Sequence, residues 1–267
     1  MDRTGLLIAL AIAAVTGAVF GFFPELDLAI SRMFFEPGNG FALQSHGLWN
    51  WVRDGIMVAV GAMVGIPVGA VVAHLIRPGV RLAVPGRVVV FLLATILLAP
   101  LLTVNVILKD NWGRPRPRDV AAFGGPEQFV AWWDPRGTCQ ANCSFVAGEA
   151  SGAFWTIAPA ALAPLPWRPL AYAAAIAFGA VAGTLRMAFG GHFFSDVVFA
   201  GVITFLAIWL VHGALYRRRG GLLTDEAIER ALTRAACWPR GIFGRRTAVS
   251  SDTSRTARPK IAKEPQC

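Results

Sequence analysis

Six long apolar runs recur along the chain, at residues 6–23, 55–76, 88–108, 149–165, 170–189 and 195–216, and few charges interrupt them. Runs of this length predict α-helices able to cross a bilayer. A helix also satisfies its own backbone donors and acceptors, as lipid requires. The pattern therefore predicts an all-α integral membrane protein, a six-helix bundle over residues 1–216 with a tail over 217–267. The first run has an alternative reading as a signal peptide, with Arg3 in front and small residues around 13–17; its length predicts a retained helix.

The segments between the runs carry their own patterns. Residues 25–35 alternate acids with Leu26, Ile30, Met33 and Phe34 at helical spacing, which predicts a short helix lying in the membrane interface. Trp49 and Trp51 stand before the second run, as interfacial anchors do. Gly61, Gly65 and Gly69 repeat every four residues, and Gly179 and Gly183 do the same, predicting two close-packing helix faces. Residues 109–148 form a connection of about 40 residues rich in Gly, Pro and Trp. Connections that long inside a compact domain are usually functional.

Composition agrees with the membrane reading: 55% of the 267 residues are hydrophobic and 15% charged, too apolar for an ordinary soluble domain. The net charge of +9 is uneven. From Arg217 onward there are twelve basic and five acidic residues, so the tail supplies seven of the nine charges. Such a tail sets topology or meets anionic headgroups, and nucleic-acid binding is not needed to explain it. Within it, residues 224–236 are amphipathic, and the Ser/Thr/Arg/Lys-rich end is predicted disordered. With both termini inside, the inner segments hold 17 of the 25 basic residues. Five of the remaining eight lie in the 109–148 connection, kept outside against the charge bias. That placement predicts a chemical role. Of the four cysteines, Cys139 and Cys143 share this connection and can close a small disulfide in an oxidising compartment, while Cys237 and Cys267 lie in the tail. No CxxC pair or His/Cys cluster predicts a metal site, and no cofactor is predicted.

Three places meet at the outer face on this topology. The first is Lys109-Asp-Asn-Trp-Gly-Arg-Pro-Arg-Pro117, where two prolines fix the backbone among cations. The second is Ser144-Phe-Val-Ala-Gly-Glu149. The third runs from Arg186 through His192 to Asp196. Ionisable residues at membrane depth are costly and usually functional. His192 and Asp196 are four apart, so they share a face of a helix that begins near His192. The carboxylate can then accept a hydrogen bond from one ring nitrogen and leave the other as nucleophile or base; the plainer reading is a helix cap. Arg114 and Arg118 fall outside this pattern and are expected to meet only headgroups. His74 and His212, in apolar runs, read as structural.

Together these stretches resemble the type 2 phosphatidic acid phosphatase family, whose tripartite pattern is KX6RP, PSGH and SRX5HX3D. The first motif matches fully, from Lys109 to Arg116-Pro117. The third matches except that Leu185 replaces the serine. The second departs most, with Val146-Ala147-Gly148-Glu149 in place of Pro-Ser-Gly-His. The resemblance implies a metal-independent lipid phosphatase in which His192 forms a phosphohistidine and Asp196 orients it. It implies that Lys109, Arg116, Arg186 and the Gly148 N–H bind the phosphate. Ala147 removes a hydroxyl donor, which Ser144 or Ser151 would have to replace. Glu149 occupies the place of the histidine that protonates the leaving oxygen. It acts as that acid under heavy desolvation, or it positions water or a headgroup, or the chain is a weakened relative. Burial raises a carboxyl pKa and three nearby cations lower it.

An outer-face site implies an anionic lipid substrate: phosphatidic acid, phosphatidylglycerol phosphate, undecaprenyl pyrophosphate or the phosphates of lipid A. The variant motif looks most like the lipid A phosphatases within that family. The expected setting is a bacterial inner membrane, with both termini cytoplasmic and the site periplasmic. A lipid phosphotransferase and a non-enzymatic lipid-binding relative are the competing readings.

Overall fold

The computed structural model describes residues 1–217 and 223–244, with no side-chain description for Ser45 or for residues 238–244. The apolar runs wind into helices as their composition dictates. Helix α1 spans Arg3–Phe22, and the Asp2 carboxylate caps it by accepting from the Gly5 N–H at 3.0 Å. Short α2 spans Glu25–Arg32. A short hairpin pairs β1 Phe35–Glu36 with antiparallel β2 Gly40–Phe41, and Val120 forms an isolated parallel bridge with Glu127. Helix α3 runs Gly47–Ile76, and α4 Gly86–Ile96 continues as a π-helix over Leu97–Leu108.

The π winding has a local cause. Pro100 cannot donate, and the Thr103 hydroxyl and Asn105 amide take the Leu98 and Pro100 carbonyls at 2.7 and 2.6 Å. The Lys109 N–H then reaches back five residues to Val104. This wide stretch ends at Leu108 and delivers Lys109 to the first motif.

The fourth apolar run departs from the expected span over 149–165. It forms α5 Gly148–Phe154 and α6 Ile157–Ala161, broken at Trp155-Thr156. Pro159 has no N–H for the Trp155 carbonyl, which accepts from Ala158 at 2.8 Å instead, and Thr156 bonds back only three residues to Ala153. Helix α7 is Arg168–Ala188, and α8 is Phe194–His212 with a π turn over Gly213–Arg217. Helices α1, α3, α4 with its π extension, α7 and α8 are long and apolar enough to cross a membrane. The chain is thus a mostly helical membrane protein, with α5 and α6 buried among the longer helices.

Without a hydrophobic driving force in lipid, small residues let these helices approach closely. A side chain at Gly179 would collide with Phe154, and one at Gly183 with Val197. The Gly61–Gly65–Gly69 repeat behaves otherwise. Those glycines are exposed, and a Cβ on any of them meets nothing within 4 Å among the described residues. Trp155 is fully buried and donates its indole N–H to Thr95 at 2.9 Å.

The helix ends sort into two groups. At one end the Trp209 indole donates to the Asp2 carbonyl at 3.0 Å, joining the starts of α1 and the end of α8. Helix α9, Asp225–Gly244, docks at the same end, where Asp225 and Glu229 accept from the Arg87 and Leu82 N–H groups. His74, structural as expected, bonds Thr233 and the Val80 carbonyl. The amphipathic piece of the tail is therefore a packed helix; its Ser/Thr-rich end lies outside the described residues. The opposite end gathers α2, the 109–147 connection, and the facing ends of α5, α7 and α8.

Candidate active site

The first motif is held at both ends by backbone. Lys109 O accepts from the Cys143 N–H at 3.0 Å, Gly113 O from Cys139, and Arg114 O from Ser144 at 2.8 Å. Cys139 and Cys143 are disulfide-bonded to each other. The clasp aims the Asn142 carbonyl at Arg116, whose Nε and Nη2 donate to it at 3.0 and 2.6 Å.

His192 is 1% exposed, just before α8. Its Nδ1 lies 2.7 Å from the Ser144 carbonyl oxygen. A carbonyl oxygen can only accept, so Nδ1 carries the proton and Nε2 keeps its lone pair. Burial, with Arg186, Arg116 and Lys109 around it, holds the ring well below the ordinary 6.5 against the pull of the Ser144 bond. The result is a neutral, oriented imidazole among cations.

The direct His192–Asp196 bond expected from their spacing is replaced by an indirect link. Asp196 is fully buried, and its carboxylate accepts from Arg114 Nη1 and Ser144 Oγ at 2.5 Å each and from the Phe193 N–H at 2.9 Å. Ser144 therefore touches both residues: its carbonyl fixes His192 and its hydroxyl meets Asp196. Asp196 also caps α8, since Phe193 is the residue before its first turn.

Arg114 corrects a second expectation. Far from meeting headgroups, it is fully buried. Nη2 donates to Asp27 at 2.8 Å, Nη1 to Asp196 and to Ser195 Oγ, and Nε to the Val130 carbonyl at 2.9 Å. Its guanidinium carbon lies 4.3 Å from the Phe193 ring centre. Asp27 accepts in addition from the Ser195 N–H and hydroxyl. So α2 does more than lie in an interface: its buried acid joins the network under the site. The signal was in the sequence, an acid between Leu26 and Leu28 beside an apolar run.

Glu149, on the first turn of α5, accepts from Arg53 Nε and Nη2 at 2.9 and 2.8 Å. Arg186 Nε lies 3.6 Å away, buried and with no hydrogen-bond partner. A forked guanidinium favours the ionised carboxylate, the opposite of what a proton donor at this position requires. Arg53, on α3, escaped the sequence reading because no motif contains it. Gly191 makes room for Arg186, since a Cβ there would stand 2.7 Å from Nη2.

Gly148 opens α5 beside Lys109. A Cβ at Gly148 would come within 2.5 Å of Asn105 Oδ1 and 3.4 Å of Lys109 Nζ. Gly148→Ala should therefore push Asn105 or Lys109 aside and lower kcat/KM by about tenfold to a hundredfold; steady-state kinetics on purified variants checks this. Neither serine offered as a substitute for the missing hydroxyl is free. Ser144 Oγ is engaged by Asp196 and Ser151 Oγ by Thr204 at 2.7 Å, both buried. Among the described residues no group of three or more His, Cys, Asp or Glu could hold a metal ion.

Residues 88–219 match the model of the PAP2 superfamily. The chain is 32% identical over 226 residues to the lipid A 4'-phosphatase of Francisella tularensis subsp. novicida (strain U112), covering 82% of this chain and 99% of that relative. It is 32% identical over 194 residues to the lipid A 4'-phosphatase of Rhizobium leguminosarum, covering 68% and 83%, and equally identical to that of Rhizobium etli. No solved structure matches significantly.

Proposed function

This chain belongs to the PAP2 superfamily and is a membrane lipid phosphatase, a phosphoric monoester hydrolase, and from that premise we propose that it removes the 4'-phosphate of lipid A through a phosphohistidine on His192. The substrate rests on the three relatives' names. The chemistry rests on one observation above the rest, the 2.7 Å contact of His192 Nδ1 with the Ser144 carbonyl. It leaves Nε2 free to attack phosphorus and stabilises the ring proton once the ring becomes positive.

Lys109, Arg116 and Arg186 hold the phosphate oxygens and offset charge as it moves in the transition state. The Gly148 N–H, at the uncapped start of α5, is a further donor. Asp196 acts on His192 through Ser144. Glu149 positions Arg53 and Arg186 instead of donating a proton. Water then attacks the phosphohistidine and releases phosphate. The α5–α6 segment serves as the sixth crossing of a six-helix bundle, in a domain over residues 1–216. Residues 217–267 form a cytoplasmic tail, and both termini are cytoplasmic in a bacterial inner membrane. The Cys139–Cys143 disulfide favours a periplasmic site.

Mass spectrometry of lipid A and phospholipids, with and without expression of the protein, tests the substrate. The expected result is lipid A lacking one phosphate, at the 4' position. Intact lipid A with dephosphorylated phosphatidylglycerol phosphate or undecaprenyl pyrophosphate would reassign it. Transfer of the phosphate to a lipid acceptor would make the protein a phosphotransferase.

A further inference from the structure

Cleaving an alkyl phosphate expels an alkoxide, which needs a proton. The histidine that supplies it in the family pattern is Glu149 in this chain, and the Arg53 fork keeps that carboxylate ionised. The other groups around His192 are also unsuited. His192 is the nucleophile, and its one proton is committed to Ser144. Asp196 only accepts, from Arg114, Ser144 and Phe193. The Ser144 and Ser151 hydroxyls are engaged. Arg53, Arg116 and Arg186 do not release protons in proteins. Asp110 accepts from the Asn142 N–H at the exposed edge of the loop.

One proton-bearing group is left. Among the described residues Lys109 Nζ has no hydrogen-bond or ion-pair partner, and it stands 3.4 Å from the point where a Gly148 Cβ would sit, beside the residue that replaces the family's acid. We infer that Lys109 is the proton donor to the leaving oxygen, in addition to binding phosphate. The inference rests on the phosphohistidine reading above.

The step balances. The His192 Nε2 lone pair forms the N–P bond, and the P–O bond to the leaving group breaks with its electrons on oxygen. That oxygen takes a proton from the Lys109 ammonium, leaving an amine. In the second half, water adds to phosphorus, its proton returns to the Lys109 amine, and the N–P electrons return to Nε2. The surroundings suit both halves. Burial lowers the ammonium from its ordinary 10.5, Arg116 and Arg186 add to this, and Glu149 and Asp110 oppose it. An acid weaker than a carboxylic acid but stronger than a free lysine can both give and regain a proton.

The test compares two phosphate monoesters with the same alkyl tail in detergent micelles, one an alkyl ester and one a nitrophenyl ester. Nitrophenolate leaves without a proton. Lys109→Arg keeps the charge but cannot donate, so it should slow the alkyl ester about 100-fold or more and the nitrophenyl ester less than about tenfold. Equal slowing of both overturns the inference and leaves the phosphohistidine reading intact. Unchanged hydrolysis by His192→Ala, or no hydrolysis of either ester by the wild type, overturns that reading instead. If the arginine variant does not fold, Lys109→Ala with added alkylamines decides. Selective rescue of the alkyl ester supports the inference; absent or equal rescue overturns it.

Discussion

His192→Ala is expected to lower kcat/KM for phosphate release at least about 10⁴-fold, the scale on which loss of a nucleophile or its base is felt in other covalent enzymes. The expectation rests on the lack of a substitute. Among the described residues, the other ionisable and hydroxyl groups around His192 are cations, engaged hydroxyls or carboxylates already held by hydrogen bonds. Water could still attack a phosphate held by Lys109, Arg116 and Arg186, so a small residual rate is allowed. Quenching the wild type into alkali during turnover should trap phosphorylated protein, and the alanine variant should trap none. The pH profile carries a further sign. A ring held well below 6.5 stays neutral as the medium is acidified through that value. The acid limb of the rate should therefore fall well below pH 6.5 and not at the ordinary imidazole value. A variant that retained full activity would leave the site without its central atom.

Two kinds of feature in this site were legible in the sequence: pairings within a few residues and, through the tripartite pattern, the meeting of its three stretches. Pro115 and Pro117 announce a fixed backbone, and the spacing of Arg186, His192 and Asp196 a helix junction. What stayed hidden is pairing across the fold. Arg114 meets Asp27 across 87 residues, Arg53 meets Glu149 across 96, and Ser144 meets Asp196 across 52. Spacing arguments compare residues on one element, so they assigned Asp196 to His192 and left Arg114 without a partner. The long runs were readable as helices because lipid demands them, although α3 begins at Gly47 and takes in Trp49 and Trp51, which were expected to stand before it. The break in the fourth was less so, since it depends on Pro159 and on burial that removes the need for a full-length span. The Gly61 repeat shows the converse: a small-residue stripe records that a close approach is possible, and no described residue of this chain uses it.

Arg114→Met is expected to destabilise the protein by about 3–5 kcal/mol, the usual cost of leaving buried charge uncompensated. Methionine fills much of the space, so the loss is chiefly electrostatic. Two carboxylates, Asp27 and Asp196, are then left beside each other at 0% exposure with no cation between them. Thermal melting in detergent measures the shift. A second substitution separates this cause from lost packing. In the wild type, Asp27→Asn weakens a buried ion pair and should lower the melting point. In the Arg114→Met background the same change removes one of two uncompensated charges and should raise it. Simple loss of contact predicts the same sign in both backgrounds, so the reversal is the diagnostic. The consequence reaches the chemistry. Arg114 fixes Asp196, Asp196 fixes the Ser144 hydroxyl, and the Ser144 carbonyl fixes the tautomer of His192. Variants that recover stability through Asp27→Asn should therefore remain slow, because the restored fold still lacks the cation that holds Asp196 against Ser144.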